Sequence, residues 1–318
     1  MISATKSSAL GVEPHPKSLD HLRVIVLSGG PGMEREVSLN SGQAVHAALK
    51  RLGHEVTVRD IGPDDLSALD LPTDFVFIAL HGEFGEDGVL QAELDARGLR
   101  YCGSDAAASR IAMNKVEAKR RFVRAGIPTP QFDVIDPTNI NYALADIRLP
   151  AVIKPVASGS SVDTSIVRTS HALESAAHLV VDRYGEALVE QYINGLEFTV
   201  GILGDTALPV CEIKTKREFY DYQAKYIDDD TQYVFDLDYS AELLANVQRL
   251  SLEAHRTLHC RAFSRVDCMV DRNTLKPFIL EVNTIPGFTS HSLLPKAAAR
   301  IGMSFDQLCK KIIELSCG

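Results

Sequence analysis

The segments richest in chemistry are Arg265-Val266-Asp267 and Glu281-Val282-Asn283. On a strand, residues two apart share a face. Arg265 and Asp267 then point one way, and Glu281 and Asn283 point one way on theirs. The residues from Val270 to Ile279 include a polar stretch with Asn273, and Pro277, so the two strands can close as a hairpin. Two carboxylates, an amide oxygen and a guanidinium would then converge on one patch. Hard oxygen donors of this kind suit Mg²⁺ shared with substrate phosphates. The plainer alternative is a salt-bridge ladder on an edge hairpin.

Three more segments carry reactive types. Lys154-Pro155-Val156-Ala157-Ser158-Gly159-Ser160-Ser161 puts a lysine at a strand end before a small-residue loop. Backbone N–H groups of such a loop can hold phosphate, and the lysine adds a point charge. The G-x-x-x-x-G-K-[ST] order of a P-loop is absent. Glu34-Arg35-Glu36-Val37-Ser38 opens the first helix, where a carboxylate is favoured by the helix dipole and capping is the simplest role. The turn before it, Gly29-Gly30-Pro31-Gly32, lacks the G-x-G-x-x-G spacing. His81-Gly82-Glu83-Phe84-Gly85-Glu86-Asp87-Gly88 follows the third strand, where open α/β sheets bind ligands. Lys115 lies in a helix with Lys119, Arg120, Arg121 and Arg124, a cluster that reads first as a solvated face.

These groups need elements to place them. Leu22 to Leu27 reads as a buried strand, Glu34 to Leu52 as a helix stopped by Gly53, and His54 to Ile61 and Asp74 to Leu80 as further strands. Strand, Gly-rich turn, helix, strand is the signature of an open α/β domain with a parallel sheet. Ala106 to Ala125 reads as one helix. Gly126-Ile127-Pro128-Thr129-Pro130 then breaks the chain and marks a domain boundary. Beyond it, Ala151 to Lys154, Ala187 to Ile193, Glu197 to Leu203, Val210 to Thr215, Phe263 to Val270 and Phe278 to Val282 read as strands. Ser170 to Tyr184 and Ala241 to Leu258 read as helices, Phe219 to Asp238 as a long loop, and two helices close the chain.

With 318 residues the chain has room for two or three domains and for a core without disulfide or metal staples. A net charge of −9 argues against nucleic-acid binding, whose affinity comes from cations meeting phosphates. No apolar run approaches the ~20 residues of a membrane span. The polar stretch over residues 1–21 has no apolar h-region and reads as a mobile leader, not a signal peptide. Six cysteines without CxxC spacing read as reduced core thiols, which points to the cytoplasm.

Taken in order, the motifs are more specific than any one alone. Glu34-Arg35-Glu36-Val37-Ser38, His81-Gly82 with Gly85-Glu86-Asp87-Gly88, Lys154-Pro155 with Gly159-Ser160-Ser161-Val162, Tyr220-Asp221-Tyr222 with Ala224-Lys225-Tyr226, Arg265-Val266-Asp267, and Glu281-Val282-Asn283-Thr284 with Pro286-Gly287 and Thr289-Ser290-His291-Ser292 follow one another. This order closely resembles the D-alanine–D-alanine ligase family of the ATP-grasp superfamily, from about Leu22 to the C-terminus. The resemblance implies an N-terminal open α/β domain (22–126), a central ATP-grasp domain (127–215) and a C-terminal ATP-grasp domain with a lid loop and a metal site (216–318).

The resemblance also implies an activity. ATP and two D-alanines give D-alanyl-D-alanine, ADP and phosphate through an acyl phosphate, for peptidoglycan synthesis. Asp267, Glu281 and Asn283 would hold two Mg²⁺ ions, with Mn²⁺ able to replace them and a monovalent cation as activator. Arg265 and the Gly287 N–H would stabilise the tetrahedral intermediate. Glu34 would bind the first D-alanine's ammonium, with His81 near its carboxylate, and Ser292 and Leu293 would contact the second. Lys115, Lys154 and Lys225 would line the phosphates, beneath the loop carrying Ser160 and Ser161. Glu190, Gln191 and Ile193 would face adenine, and Glu197 the ribose. Ser161, Tyr226 and Glu34 would form a hydrogen-bonded triad closing the site. A homodimer is implied as well.

Two departures stand out. Pro31-Gly32 replaces a residue followed by Ser. Asp163 replaces Gly on the phosphate-covering loop, where its carboxylate either repels the γ-phosphate or simply points outward; weaker ATP binding or a differently set loop is the expectation, so that Asp163→Gly would lower KM for ATP. Three rival readings remain. A D-alanine–D-lactate ligase is disfavoured by Tyr226. A carboxylate–amine ligase for another amino acid is disfavoured by Glu34, His81, Ser292 and Leu293. A non-catalytic nucleotide-binding protein is disfavoured by the intact Arg265, Asp267, Glu281 and Asn283.

Overall fold

The structure, a computed structural model, describes residues 19–216 and 230–318. Residues 1–18 of the expected leader, and Lys225 and Tyr226 of the expected lid, lie outside the described residues.

The chain begins with β1 (Arg23–Ser28), α1 (Arg35–Arg51), β2 (Glu55–Asp60) and β3 (Phe75–Ile78). The strands form a parallel sheet in the order β2-β1-β3. All four residues of β3 are buried, as expected for a strand covered on both faces. Next come α2 (Val89–Ala96), which has no counterpart in the sequence reading, α3 (Ala106–Met113) and α4 (Lys115–Arg124). The single helix expected over 106–125 is thus two. Asn114 leaves the helical conformation and its side chain accepts from the Glu117 N–H, capping α4 as it ends α3.

The middle of the chain holds β4 (Phe132–Ile135), the short α5 (Ile140–Ala143), β5 (Ala151–Pro155), β6 (Ser165–Val167), α6 (Ser170–Tyr184) and β7 (Ala187–Gln191). Its sheet is antiparallel, in the order β4-β7-β5-β6. The remaining strands are β8 (Gly195–Leu203), β9 (Thr206–Ala207), β10 (Cys211–Lys214), β11 (Gln232–Val234), β12 (Phe263–Asp271) and β13 (Pro277–Asn283). They pair in the order β11-β10-β8-β12-β13, with β9 on β8. This sheet runs across position 215, where the central and C-terminal parts were expected to divide. The helices α7 (Ala241–Thr257), α8 (Leu293–Arg300) and α9 (Phe305–Cys317) complete the chain.

Two aromatic contacts bear on the site's geometry. Phe288 stands edge-on to Phe77 of β3 at 5.3 Å and to Phe263 of β12 at 5.7 Å. The segment after β13 is thereby nailed between the first sheet and the last. Such aromatic pairs are worth about 1 kcal/mol each beyond their buried area. Arg51 of α1 adds an ion pair to Asp306 of α9. No described helix is long and apolar enough to cross a membrane. Five cysteines are buried, Cys317 is half-buried, and all are thiols.

Candidate active site

A cleft of about 640 Å³ opens between the central and last sheets, and Lys115, Lys154, Glu190, Glu197, Asp267 and Glu281 are among its walls. The hairpin forms as the alternation predicts. Arg265 lies opposite Asn283 and Asp267 opposite Glu281, so all four side chains share a face. Arg265 grips Asp267 through two bonds, Nε to Oδ1 at 2.9 Å and Nη2 to Oδ2 at 2.7 Å. The Thr199 hydroxyl donates to Asp267 Oδ1 at 2.6 Å, and the Asn283 amide donates to Oδ2 at 3.0 Å. A bulge after Asp267 shifts the register beyond this patch only.

The opposite wall is cationic. Lys154 of β5 and Lys119 of α4 both pair with Glu190 of β7, Lys119 at 2.6 Å, with side chains 10%, 0% and 3% exposed respectively. Lys119 also donates to Thr129 Oγ1 at 2.6 Å. Burial works against all three charges. It pulls Lys119 down to about 8, with Lys154 adding to the fall. For Lys154, Glu190 and Glu281 outweigh burial and hold the ammonium above its ordinary range. Glu190 is likewise held below the usual carboxylate range by the two lysines, against its burial. Lys115 donates to the Ser158 carbonyl at 2.6 Å and lies 3.4 Å from Glu281 Oε2, linking this wall to the hairpin.

The expected solvated lysine face is therefore wrong for Lys115 and Lys119. The signal was present: Lys115, Ala118, Lys119 and Phe122 fall at i, i+3, i+4 and i+7, and all four are buried. Arg120 and Arg124 remain exposed on the other side.

Glu34 sits at the start of α1 without making a cap bond. Its Oε1 accepts from Ser160 Oγ at 2.7 Å, which ties the loop after β5 to the first helix. Of the two serines expected here, Ser160 makes this bond. Ser160 and Ser161 both adopt left-handed conformations, with φ of 52° and 56°. His81 is buried with both ring nitrogens engaged. Its Nδ1–H donates to the Ile285 carbonyl at 3.0 Å, and its Nε2 accepts from the Ser41 hydroxyl at 3.1 Å. The same hydroxyl accepts from the Phe288 N–H. Burial holds this imidazole below its ordinary pKa and so neutral. Glu86, which the sequence reading left without a role, accepts from the N–H groups of Gly82 and Ile285. Burial of its carboxyl, with Glu34 nearby, pushes it up to about 8.

Gly287 is glycine for lack of room: a Cβ there would stand 2.5 Å from Ser292 Oγ. That hydroxyl closes the turn before α8, taking the Thr289 N–H at 3.0 Å. Leu293 is buried against Cys211 and Ile213, so it packs the floor under the segment. Gln191 is exposed, Ile193 is buried, and both line the cleft with Glu197.

A family model described as "D-ala D-ala ligase C-terminus" matches residues 122–314. A curated D-alanine–D-alanine ligase of Gloeobacter violaceus is 44% identical over 93% of this chain and 99% of its own length. The chain belongs to the D-alanine–D-alanine ligase family. A solved ligase of that name from Bacillus anthracis superposes with a TM-score of 0.84 at 35% identity, covering 93% of this chain and 97% of that one. Its complex with ATP gives 0.81 at 32%, with the same coverage. The VanG D-Ala:D-Ser ligase of Enterococcus faecalis gives 0.83 at 29%, covering 92% and 99%.

Within this family's pattern, Asp163 behaves differently from the expectation of a charge repelling phosphate. Its φ is 51°, a conformation that glycine adopts without cost and that aspartate tolerates. Its Oδ2 accepts from Arg183 Nη1 at 2.8 Å and from the Tyr184 hydroxyl at 2.5 Å. The carboxylate is matched by a guanidinium and is not among the cleft's walls. The loop after β5 is thus anchored at one end to Glu34 and at the other to the end of α6.

Proposed function

We propose that the protein joins two D-alanines with ATP, through an acyl phosphate, to supply D-alanyl-D-alanine for peptidoglycan synthesis in the cytoplasm. Identity of 44% across nearly the full length of a D-alanine–D-alanine ligase carries this reading. The three parts are the first sheet with its helices, the central sheet up to about Asn194, and the last sheet with α7, α8 and α9.

ATP lies in the cleft between the central and last sheets. Lys115 and Lys154 meet the phosphates, and Lys225 joins them. Glu190, Gln191 and Ile193 face the base, and Glu197 takes the ribose hydroxyls. Glu34, held by Ser160, binds the ammonium of the first D-alanine and so aims its carboxylate at the γ-phosphate. That attack turns a poor electrophile into one with a good leaving group. The second D-alanine, beside Ser292, attacks the acyl carbon through its amine. Arg265 and the Gly287 N–H then meet the oxyanion, an arrangement worth about 3 kcal/mol per donor. His81 and Glu86 hold the segment that carries Gly287 in place.

Among the described residues no three His, Cys, Asp or Glu side chains gather into a cage. Two carboxylates and an amide on one face fit Mg²⁺, which keeps positions for phosphate oxygens and water. Asp267, Glu281 and Asn283 would hold it, and it would neutralise charge between the phosphates and the attacking carboxylate.

The test is ATP-dependent phosphate release by purified protein with Mg²⁺. D-alanine alone should support it, and L-alanine should not. D-alanine with D-lactate or D-serine at neutral pH should add no mixed product. Turnover requiring D-lactate or D-serine would replace the second substrate, and ATP binding without turnover would leave only a nucleotide site.

A further inference from the structure

The buried cluster of Lys119, Glu190 and Lys154 holds two ammonium groups for one carboxylate. Lys154 and Glu190 line the cleft, whereas Lys119 stands behind them and does not. Strand register accounts for the arrangement. Val152 of β5 is opposite Glu190 of β7, so Lys154, two residues on, is the diagonal neighbour on the same face. Lys119 comes from α4 with its side chain fully buried, and the Thr129 hydroxyl fixes its ammonium.

A simple pair of Lys154 and Glu190 would be neutral and self-contained. Drawing Lys154 away toward a phosphate would strand a buried carboxylate, and removing one partner of a buried pair is strongly unfavourable. A second ammonium on the far carboxylate oxygen removes that obstacle. Counted over these three side chains it also leaves one positive charge in excess for an arriving anion, with Glu281 facing Lys154 from the hairpin and itself paired with Lys115.

We infer that Lys119 is a positioning residue for the nucleotide: it neutralises Glu190 from behind and so releases Lys154 to the phosphates of ATP. The inference rests on the cleft being the nucleotide site. Lys119 touches no substrate. Because Glu190 also faces the base, a change there reaches adenosine and ATP alike, and the part owed to Lys154 is the further loss confined to phosphate-bearing ligands.

The experiment measures dissociation constants of ATP and adenosine, with Mg²⁺ and without D-alanine, in the whole protein. The readout is the preference for ATP, the adenosine constant divided by the ATP constant. In Lys119→Met this preference should fall on the order of tenfold, beyond any loss that adenosine and ATP share through Glu190. Adding Glu190→Gln to Lys119→Met should restore much of the preference, because a neutral amide no longer traps Lys154. Thr129→Val, which removes only the ammonium's hydroxyl anchor, should lower the preference about two- to threefold and decides the matter where Lys119→Met does not fold. An unchanged preference in folded Lys119→Met, or in Thr129→Val, or equal losses for ATP and adenosine, overturns the inference while leaving the site intact. Absence of ATP binding by the unaltered protein overturns the site as well.

Discussion

The two walls of the cleft hold charge in opposite ways. On the hairpin, one guanidinium faces two carboxylates, and Asp267 is held from both sides by Arg265, Thr199 and Asn283. On the lysine wall, two ammonium groups share Glu190. The first wall has oxygen donors to offer a cation, and the second has positive charge to offer an anion. A metal nucleotide is both. The walls also differ in how they are built. The hairpin's side chains are placed by the alternation of two adjacent strands. The lysine wall needs α4, β5 and β7 brought together from 76 residues of chain, Lys115 to Glu190.

This contrast predicts a division of labour, with the hairpin governing chemistry and the lysine wall governing nucleotide affinity. Arg265→Ala attacks it hardest. Turnover should fall on the order of 10²- to 10³-fold, with KM for ATP moving much less. Full turnover, or a defect confined to KM for ATP, would break the division.

The second prediction concerns what stands behind the hairpin. His255 of α7 bonds Ser264 Oγ of β12 at 2.7 Å and is buried. Burial pulls its pKa down to about 4 from 6.5. Between those values the unfolded chain binds a proton that the folded one refuses, so this imidazole's contribution to stability is full above pH 6.5 and is lost as pH falls. The loss by pH 4 should be about 3 kcal/mol. Glu86, which keeps its proton up to about 8, contributes a slope of opposite sign above about 4.5, so the test is a difference: in denaturant titrations from pH 7.5 to 4, His255→Asn should flatten the histidine's part of the slope by this amount without changing turnover at pH 7.5. An unflattened slope would place the acid sensitivity elsewhere.

Legibility in the sequence followed the same contrast. Strands and long helices were readable because their apolar periods are local, and Arg265, Asp267, Glu281 and Asn283 were readable because a hairpin's register is local too. Lys119 was misread because its charge outweighed its place in the Lys115, Ala118, Lys119, Phe122 stripe. The break at Asn114 was missed because the apolar pattern runs through it, while the capping side chain acts across a single residue. The Glu86–Ile285 bond and the Phe77–Phe288 contact join residues about 200 apart, which no local pattern reports. Asp163 needed its partners on α6 to show that its charge is already answered.

The smallest effect separates the walls from the loop between them. Asp163→Gly relieves a left-handed aspartate but cuts the loop from Arg183 and Tyr184. KM for ATP should rise about three- to fivefold with kcat nearly unchanged. A lower KM would return the repulsion reading and remove the anchor.

The central claim is best tested with D-alanine carrying ¹⁸O in its carboxylate, incubated with ATP and Mg²⁺ and with both products weighed by mass spectrometry. An acyl phosphate passes one carboxylate oxygen to the departing phosphate. The account predicts D-alanyl-D-alanine and phosphate carrying one ¹⁸O atom in equal amounts. Unlabelled phosphate, or labelled phosphate without the dipeptide, would contradict it.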